Sequence, residues 1–209
     1  MIRTTPQNGS REGISRASAA RQSTDVLLQV LSERNTQLGD HLDEVTELCA
    51  AVGEALDLPD DQAVHVLRAA SLHDVGKAAV PEAILDKPGP LDEDEWSYIR
   101  RHTLIGERIL AAAPALAPAA RLVRSSHERL DGRGYPDGLE GEQIPLGARI
   151  IAVCDAFEAM TADRPYRKAM SVEYALSELR ACAGTHFDPA VVDALAAVVV
   201  KRGALVPVA

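Results

Sequence analysis

Residues 150–160 read IIAVCDAFEAM. The run is apolar almost throughout, so only its period separates a buried strand from a helix. Ile150, Val153, Phe157 and Met160 recur at three- and four-residue steps, the spacing of one helix face. The pattern predicts a helix over roughly 147–162. Asp155 lies one turn after Ile151, so its carboxylate faces the packed side, where it needs hydrogen bonds, a cation or a metal. A salt bridge would satisfy it as well as a metal would.

The same period recurs on either side. His41 opens a helix in which Leu42, Val45, Leu48, Val52 and Leu56 share a face. Pro59-Asp60-Asp61 starts another that runs to Leu72 and stops at HDVGK (73–77), with Gly76 as its terminator. Asp92 caps a helix expected to reach about Ala112, and a shorter one follows from about Ala117 to Ser126. Ser171 caps a further helix, and Asp188-Pro189 starts the last. Residues 24–34 form a short amphipathic helix carrying Leu27, Leu28 and Leu31. No run alternates strictly, so the expected fold class is all-α. Residues 1–21, rich in Ser, Arg, Gly, Asn and Gln, read as a flexible tail or linker. Residues 22–35 read as a linker helix and 36–209 as one domain.

Bulk properties narrow the function. With 209 residues, 46% of them hydrophobic, the chain holds one sizeable core. Aromatic residues make up only 3%, so that core is built from small aliphatic side chains. A formal net charge of -9 argues against DNA or RNA, which are bound by neutralising phosphates with Lys and Arg. A small anionic ligand needs only a few local cations. Cys49, Cys154 and Cys182 are widely spaced in apolar contexts and read as buried thiols of a reducing compartment. No apolar run is long enough for membrane insertion, and no signal region opens the chain, so a cytoplasmic location is expected.

His65 and His186 read as ordinary polar core or surface residues. His73 is different, because Asp74 follows at once at the end of an apolar helix and Lys77 comes three residues later. An imidazole and a carboxylate at a helix end can converge on one ion, and mixed nitrogen and oxygen donors suit Fe, Mn, Zn, Co or Ni over Ca or Mg. His41 faces inward, where an imidazole without a partner is costly. The other polar interruption is SSHERLDGRGYPDG (125–138), whose glycines Gly132, Gly134 and Gly138 permit backbone approaches that bulkier residues forbid. Glu128 and Asp131 either brace that loop or orient His127. A purely structural connection also accounts for Asp131 and Pro136, but not for His127.

Taken together, His41, His73-Asp74 and Asp155 resemble the H…HD…D pattern of HD-superfamily metal-dependent phosphohydrolases. HDVGK (73–77), HTLIGERIL (102–110), SHERLDGRGYPDGL (126–139), IPLGARIIAVCDAFEAMTADRPYR (144–167) and FDP (187–189) resemble the HD-GYP family of cyclic di-GMP phosphodiesterases. The likeness spans about 36–200, with five separated motifs in the same order. It implies an HD-domain helical bundle with extra C-terminal helices and an ordered GYP loop. It implies two divalent metal ions, Fe or Mn before Zn, Co or Ni. The first would be held by His41, His73, Asp74 and Asp155, and the second by Asp74, His102 and His127. Asp74 and Lys77 would be catalytic. Lys77, Arg164 and Arg167 would contact substrate phosphates, and Gly134, Tyr135 and Pro136 would line the substrate site. The implied reaction is hydrolysis of cyclic di-GMP to pGpG, GMP or both by a metal-activated hydroxide. A homodimer and a regulatory or diguanylate-cyclase partner protein would fit such a role.

Two positions depart from that pattern. Ser126 stands where the family has the first of two consecutive histidines, and a serine hydroxyl is the poorer ligand. Gln37 stands where three-metal members carry a glutamate, which argues against a third ion. A catalytically weak domain that binds nucleotide or a partner protein is the competing reading.

Overall fold

The computed structural model describes residues 18–30, 36–163 and 167–205, with side chains omitted at 36–40 and 204–205. Among them there is no strand, and the fold is the expected all-α one. In chain order the helices are α1 (18–30), α2 (Thr36–Ala55), α3 (Asp60–Leu72), α4 (Glu82–Leu85), α5 (Glu93–Arg100), α6 (His102–Ala111), α7 (Ala117–Arg124), α8 (Leu146–Thr161), α9 (Val172–Ala181) and α10 (Pro189–Leu205). Short 3-10 turns at Val75–Ala79, Pro114–Leu116 and Gly141–Gln143 punctuate them.

The core forms where α2, α3, α7, α8 and α10 pack together. Val45 and Val52 on α2, Leu72 on α3, Val123 on α7, Ile150 and Val153 on α8 and Leu195 on α10 are completely buried. Each is aliphatic, and Val45, Val52, Ile150 and Val153 sit on the faces their period predicted, so burial of such stripes drives assembly. Cys49 and Cys154 are buried free thiols, and Cys182 is half-buried. No described helix is long and apolar enough to cross a membrane.

Three expectations need correction. The helix expected from Asp92 to Ala112 is two helices, α5 and α6, which break at Arg101. Asp92 does start the first, through a capping box with Glu95. His102, the first residue of α6, is buried. The second correction concerns Gly76, which is not a helix terminator: α3 ends at Leu72, four residues earlier. A Cβ at Gly76 would lie 1.9 Å from the carbonyl oxygen of His102, so glycine is required there for α6 to approach the HD segment. Lastly, residues 18–21, read as tail, belong to α1, and Ala20 is buried. Leu27 and Leu28 pack against the core from the same helix, whereas Val26 and Val30 face outward. Residues 31–35, which complete the expected linker helix, lie outside the described residues.

Candidate metal centre

The end of α3 delivers His73 and Asp74 together. α2 brings His41, α6 brings His102, the turn after α7 brings His127, and α8 brings Asp155. These residues fall into two groups whose ligand atoms all lie within 4.8 Å of one another: His41, His73 and Asp155, and Asp74, His102 and His127.

In the first group, Asp155 Oδ1 is 3.4 Å from His41 Nε2 and 3.6 Å from His73 Nε2. These separations are long for hydrogen bonds but less than twice a metal–ligand distance of about 2.0–2.2 Å. Asp74 connects the groups by using both oxygens. Its Oδ2 lies 3.7 Å from His73 Nε2, and its Oδ1 lies 3.7 Å from His102 Nε2. That is the disposition of a carboxylate shared between two ions.

The ring tautomers are set from outside. His73 Nδ1 is 2.8 Å from the Ala70 carbonyl and His102 Nδ1 is 2.6 Å from that of Ile99, so each Nδ1 donates and each Nε2 is left as the inward lone pair. His41 Nδ1 pairs with the carboxylate of Glu158, which fixes the orientation of that ring. Glu158 is buried one turn beyond Asp155 on α8, and it was missed in the sequence. Its signal was available: IIAVCDAFEAM carries two acids three residues apart on one apolar helix.

Charge distributes unevenly. Burial works to lower the pKa of His41, but Asp155 and Glu158 outweigh it and push the value up to about 9. Burial likewise opposes the rise at His73, which Asp74 and Asp155 impose. Against its own burial, Asp155 is held well below the usual carboxylate range by His41 and His73. Asp74 is lowered despite burial by Lys77, His73 and His102. On the other side, burial lowers His102, and burial together with the neighbouring His102 drives His127 down to about 3.

This second group is also where polar atoms lack partners. Among the described residues five buried side-chain atoms have no hydrogen bond, and three of them are Asp74 Oδ1, His102 Nε2 and His127 Nε2. Three orphaned acceptors converging on one point form a donor set that fits a divalent cation. The neighbouring group fits a second.

The remaining predicted residues surround this centre. Lys77 Nζ donates to Asp74 Oδ2 at 2.6 Å and is one-third exposed. The Tyr135 ring stacks on His127, with centroids 5.1 Å apart and planes 15° from parallel, and Pro136 follows through a cis peptide. Gly134 is obligatory, because a Cβ there would lie 2.4 Å from Glu128 Cα and from Arg129 N. Of the two roles open to Glu128 and Asp131, both take bracing. Buried Glu128 accepts the backbone N–H groups of Asp137 (2.7 Å) and Leu139 (3.0 Å). Asp131 pairs bidentately with Arg129 and accepts the N–H of Arg133. A further brace was not foreseen: Arg124 forks onto Asp137 and also binds Glu107, tying the loop to α6 and α7.

Arg167 Nη2 donates to the carbonyl of Ala159 at the end of α8. Arg164 lies outside the described residues, as does the side chain of Gln37. Ser126 is buried and its hydroxyl donates to the Val123 carbonyl at 2.9 Å, so it is satisfied by backbone.

A helical bundle that gathers a His-Asp doublet, three further histidines and a distant aspartate defines a metal-centre protein of the HD type. The HD domain family model matches residues 25–191, and the chain belongs to that family. The resemblance drawn from its motifs is borne out by its relatives. The "Cyclic di-GMP phosphodiesterase response regulator RpfG" of Xanthomonas campestris pv. campestris is 40% identical over 177 residues, 84% of this chain and 47% of that protein. The "3'3'-cGAMP-specific phosphodiesterase 3" of Vibrio cholerae is 38% identical over 161 residues, 77% of this chain and 35% of that protein. A solved cyclic GMP-AMP phosphodiesterase of V. cholerae, V-cGAP3, superposes with a TM-score of 0.56 at 33% identity, covering 88% of this chain and 41% of that structure. The chain thus spans less than half the length of each of these proteins.

Proposed function

We propose that this chain is a metal-dependent phosphodiesterase of cyclic dinucleotides, with cyclic di-GMP as its substrate and pGpG, GMP or both as products. The observation that carries this reading is the pair of three-residue ligand groups joined by the two oxygens of Asp74, three of whose inward atoms have no protein partner. Relatives named for cyclic di-GMP and for 3'3'-cGAMP support the substrate class.

His41, His73, Asp74 and Asp155 would hold one ion and Asp74, His102 and His127 the other; the mixed donor set suits Fe, Mn, Zn, Co or Ni, and the family resemblance favours Fe or Mn. Two such ions supply Lewis acidity at a phosphoryl oxygen and lower the pKa of water. The protein's own groups bind and orient. Lys77, at the mouth with its ammonium against Asp74, can shift toward a non-bridging phosphate oxygen without leaving the site. Arg167, held against the end of α8, would add a further cation for the phosphates, and the family resemblance assigns Arg164 the same role. Tyr135 and the glycine-bearing loop wall the second group, and the Glu128 and Arg124 braces hold that wall at fixed distance.

The competing reading, a nucleotide-binding module without turnover, draws on Ser126, whose hydroxyl is spent on a backbone carbonyl. The deciding experiment is anaerobic hydrolysis of cyclic di-GMP and 3'3'-cGAMP by protein reloaded with Mn or Fe(II), with metal counted on the same sample. Turnover at about two metals per chain is expected. Tight nucleotide binding without turnover at any metal loading would overturn the phosphodiesterase in favour of the binding module.

A further inference from the structure

The stack that begins at the second ligand group does not end at Tyr135. His102 meets His127 edge-on, with centroids 5.0 Å apart, and His127 stacks on Tyr135. Beyond Tyr135 comes the guanidinium of Arg100, 6.0 Å from the tyrosine ring centroid, and beyond that the indole of Trp96, 5.9 Å from the same guanidinium. Trp96 and Arg100 are four residues apart on α5 and therefore share a face. Both are exposed, Trp96 to 44%. Trp96 is the only tryptophan in a chain that is 3% aromatic, and it sits on the surface.

Arg100 forms no ion pair among the described residues. Arg124, Arg129 and Arg149 all spend their guanidinium groups on carboxylates. Among the described residues no carboxylate occupies its fork of donors, and its guanidinium lies over the Tyr135 ring that stacks on His127.

We infer that Trp96 and Arg100 form a guanine-recognition lip for the proposed cyclic dinucleotide site, Trp96 stacking on the base and Arg100 reading its edge. The inference rests on the phosphodiesterase reading and adds specificity to it. Guanine presents two acceptors, O6 and N7, in the spacing of a guanidinium fork, whereas adenine presents an N6 donor that an arginine cannot accept. An indole face is indifferent to base identity but holds a base in place. Arg100 therefore discriminates, and Trp96 contributes to affinity for either purine. The site should prefer a guanine at this position, in cyclic di-GMP or in the guanine half of a mixed dinucleotide.

The test measures binding and turnover of cyclic di-GMP and cyclic di-AMP by metal-loaded wild type, Arg100→Ala, Arg100→Lys and Trp96→Ala. Arg100→Ala should lose roughly ten- to hundredfold in kcat/KM for cyclic di-GMP, with cyclic di-AMP changed far less. Arg100→Lys keeps the charge and the contact with Trp96 but loses the fork, so it should show the same collapse of the guanine-to-adenine ratio. That outcome separates recognition from support of α5. Trp96→Ala should weaken both ligands by similar factors through KM. Equal losses for both dinucleotides in Arg100→Ala, or no loss, would overturn the lip and leave the phosphodiesterase standing. Preferential binding of cyclic di-GMP without turnover, abolished in Arg100→Ala, would keep the lip and refute the hydrolase. Failure of wild type to bind either dinucleotide would refute both.

Discussion

The two ligand groups hold the same kinds of atom and meet the same problem differently. His41, His73 and Asp155 form a cluster that protons can satisfy: the histidines are pushed up, the aspartate is held down, and Glu158 adds a second counter-charge. Asp74, His102 and His127 form one that protons do not satisfy. Burial pushes both histidines down, aided by Lys77 and His73 at His102 and by His102 and Lys77 at His127, and their inward atoms have no partner. The first group is an ion-paired knot in the metal-free chain, whereas the second carries an unmet demand for positive charge. The difference lies in the charges around each group: Asp74, Asp155 and Glu158 raise the histidines of the first, whereas Lys77 and neighbouring histidines work against protonation in the second. Glu158 compensates the first group, while the corresponding buried acid near the second, Glu128, is fully engaged with backbone N–H groups of the GYP loop.

The strongest way to break this comparison is Asp74→Ala. Asp74 serves both groups, so turnover should fall to background and bound metal should drop at both sites. Loss of only one metal would show that the groups are independent. Glu158→Gln sharpens the contrast: it removes the counter-charge of His41 only, and should cost about 10–100-fold in metal affinity at the first group while leaving the second unchanged. Equal weakening of both in a metal titration would refute the division. Ser126→His should raise affinity at the second group alone, by about tenfold or more. Identical titration curves for the variant and wild type would show that residue 126 does not face that ion.

The smallest effect is a pH profile of the metal-free protein, read by thermal melting. His41 has a folded pKa of about 9, above its ordinary 6.5, so its contribution to stability is full below about 6.5 and is lost as the pH rises through 9. His127, lowered to about 3, works the other way: below about 6.5 the unfolded chain takes a proton that the folded chain refuses, and stability falls. Melting temperature should therefore decline on both sides of neutrality. His41→Ala should flatten the alkaline limb and His127→Ala the acid limb near pH 5–6. A metal-free protein whose melting is level from pH 6.5 to 9 would contradict the ion-paired first group.

Helix period, the caps at Asp92 and Ser171, and the all-α class were legible in the sequence because they depend on neighbours three or four residues away. The six candidate ligands were legible too, since a buried charge in an apolar run stands out by itself and the motifs around it are specific. Tertiary structure decided what no local pattern encodes. The break at Arg101 is invisible in a continuous helical period, yet it separates the exposed Arg100 that ends α5 from the buried His102 that starts α6. The true task of Gly76 depends on the carbonyl of a residue 26 positions away. The partition of six ligands into two groups, one satisfied and one not, depends on which acids lie within a few ångströms. Spacing along a chain names candidates, whereas charge compensation acts through space, and only packing sets those distances.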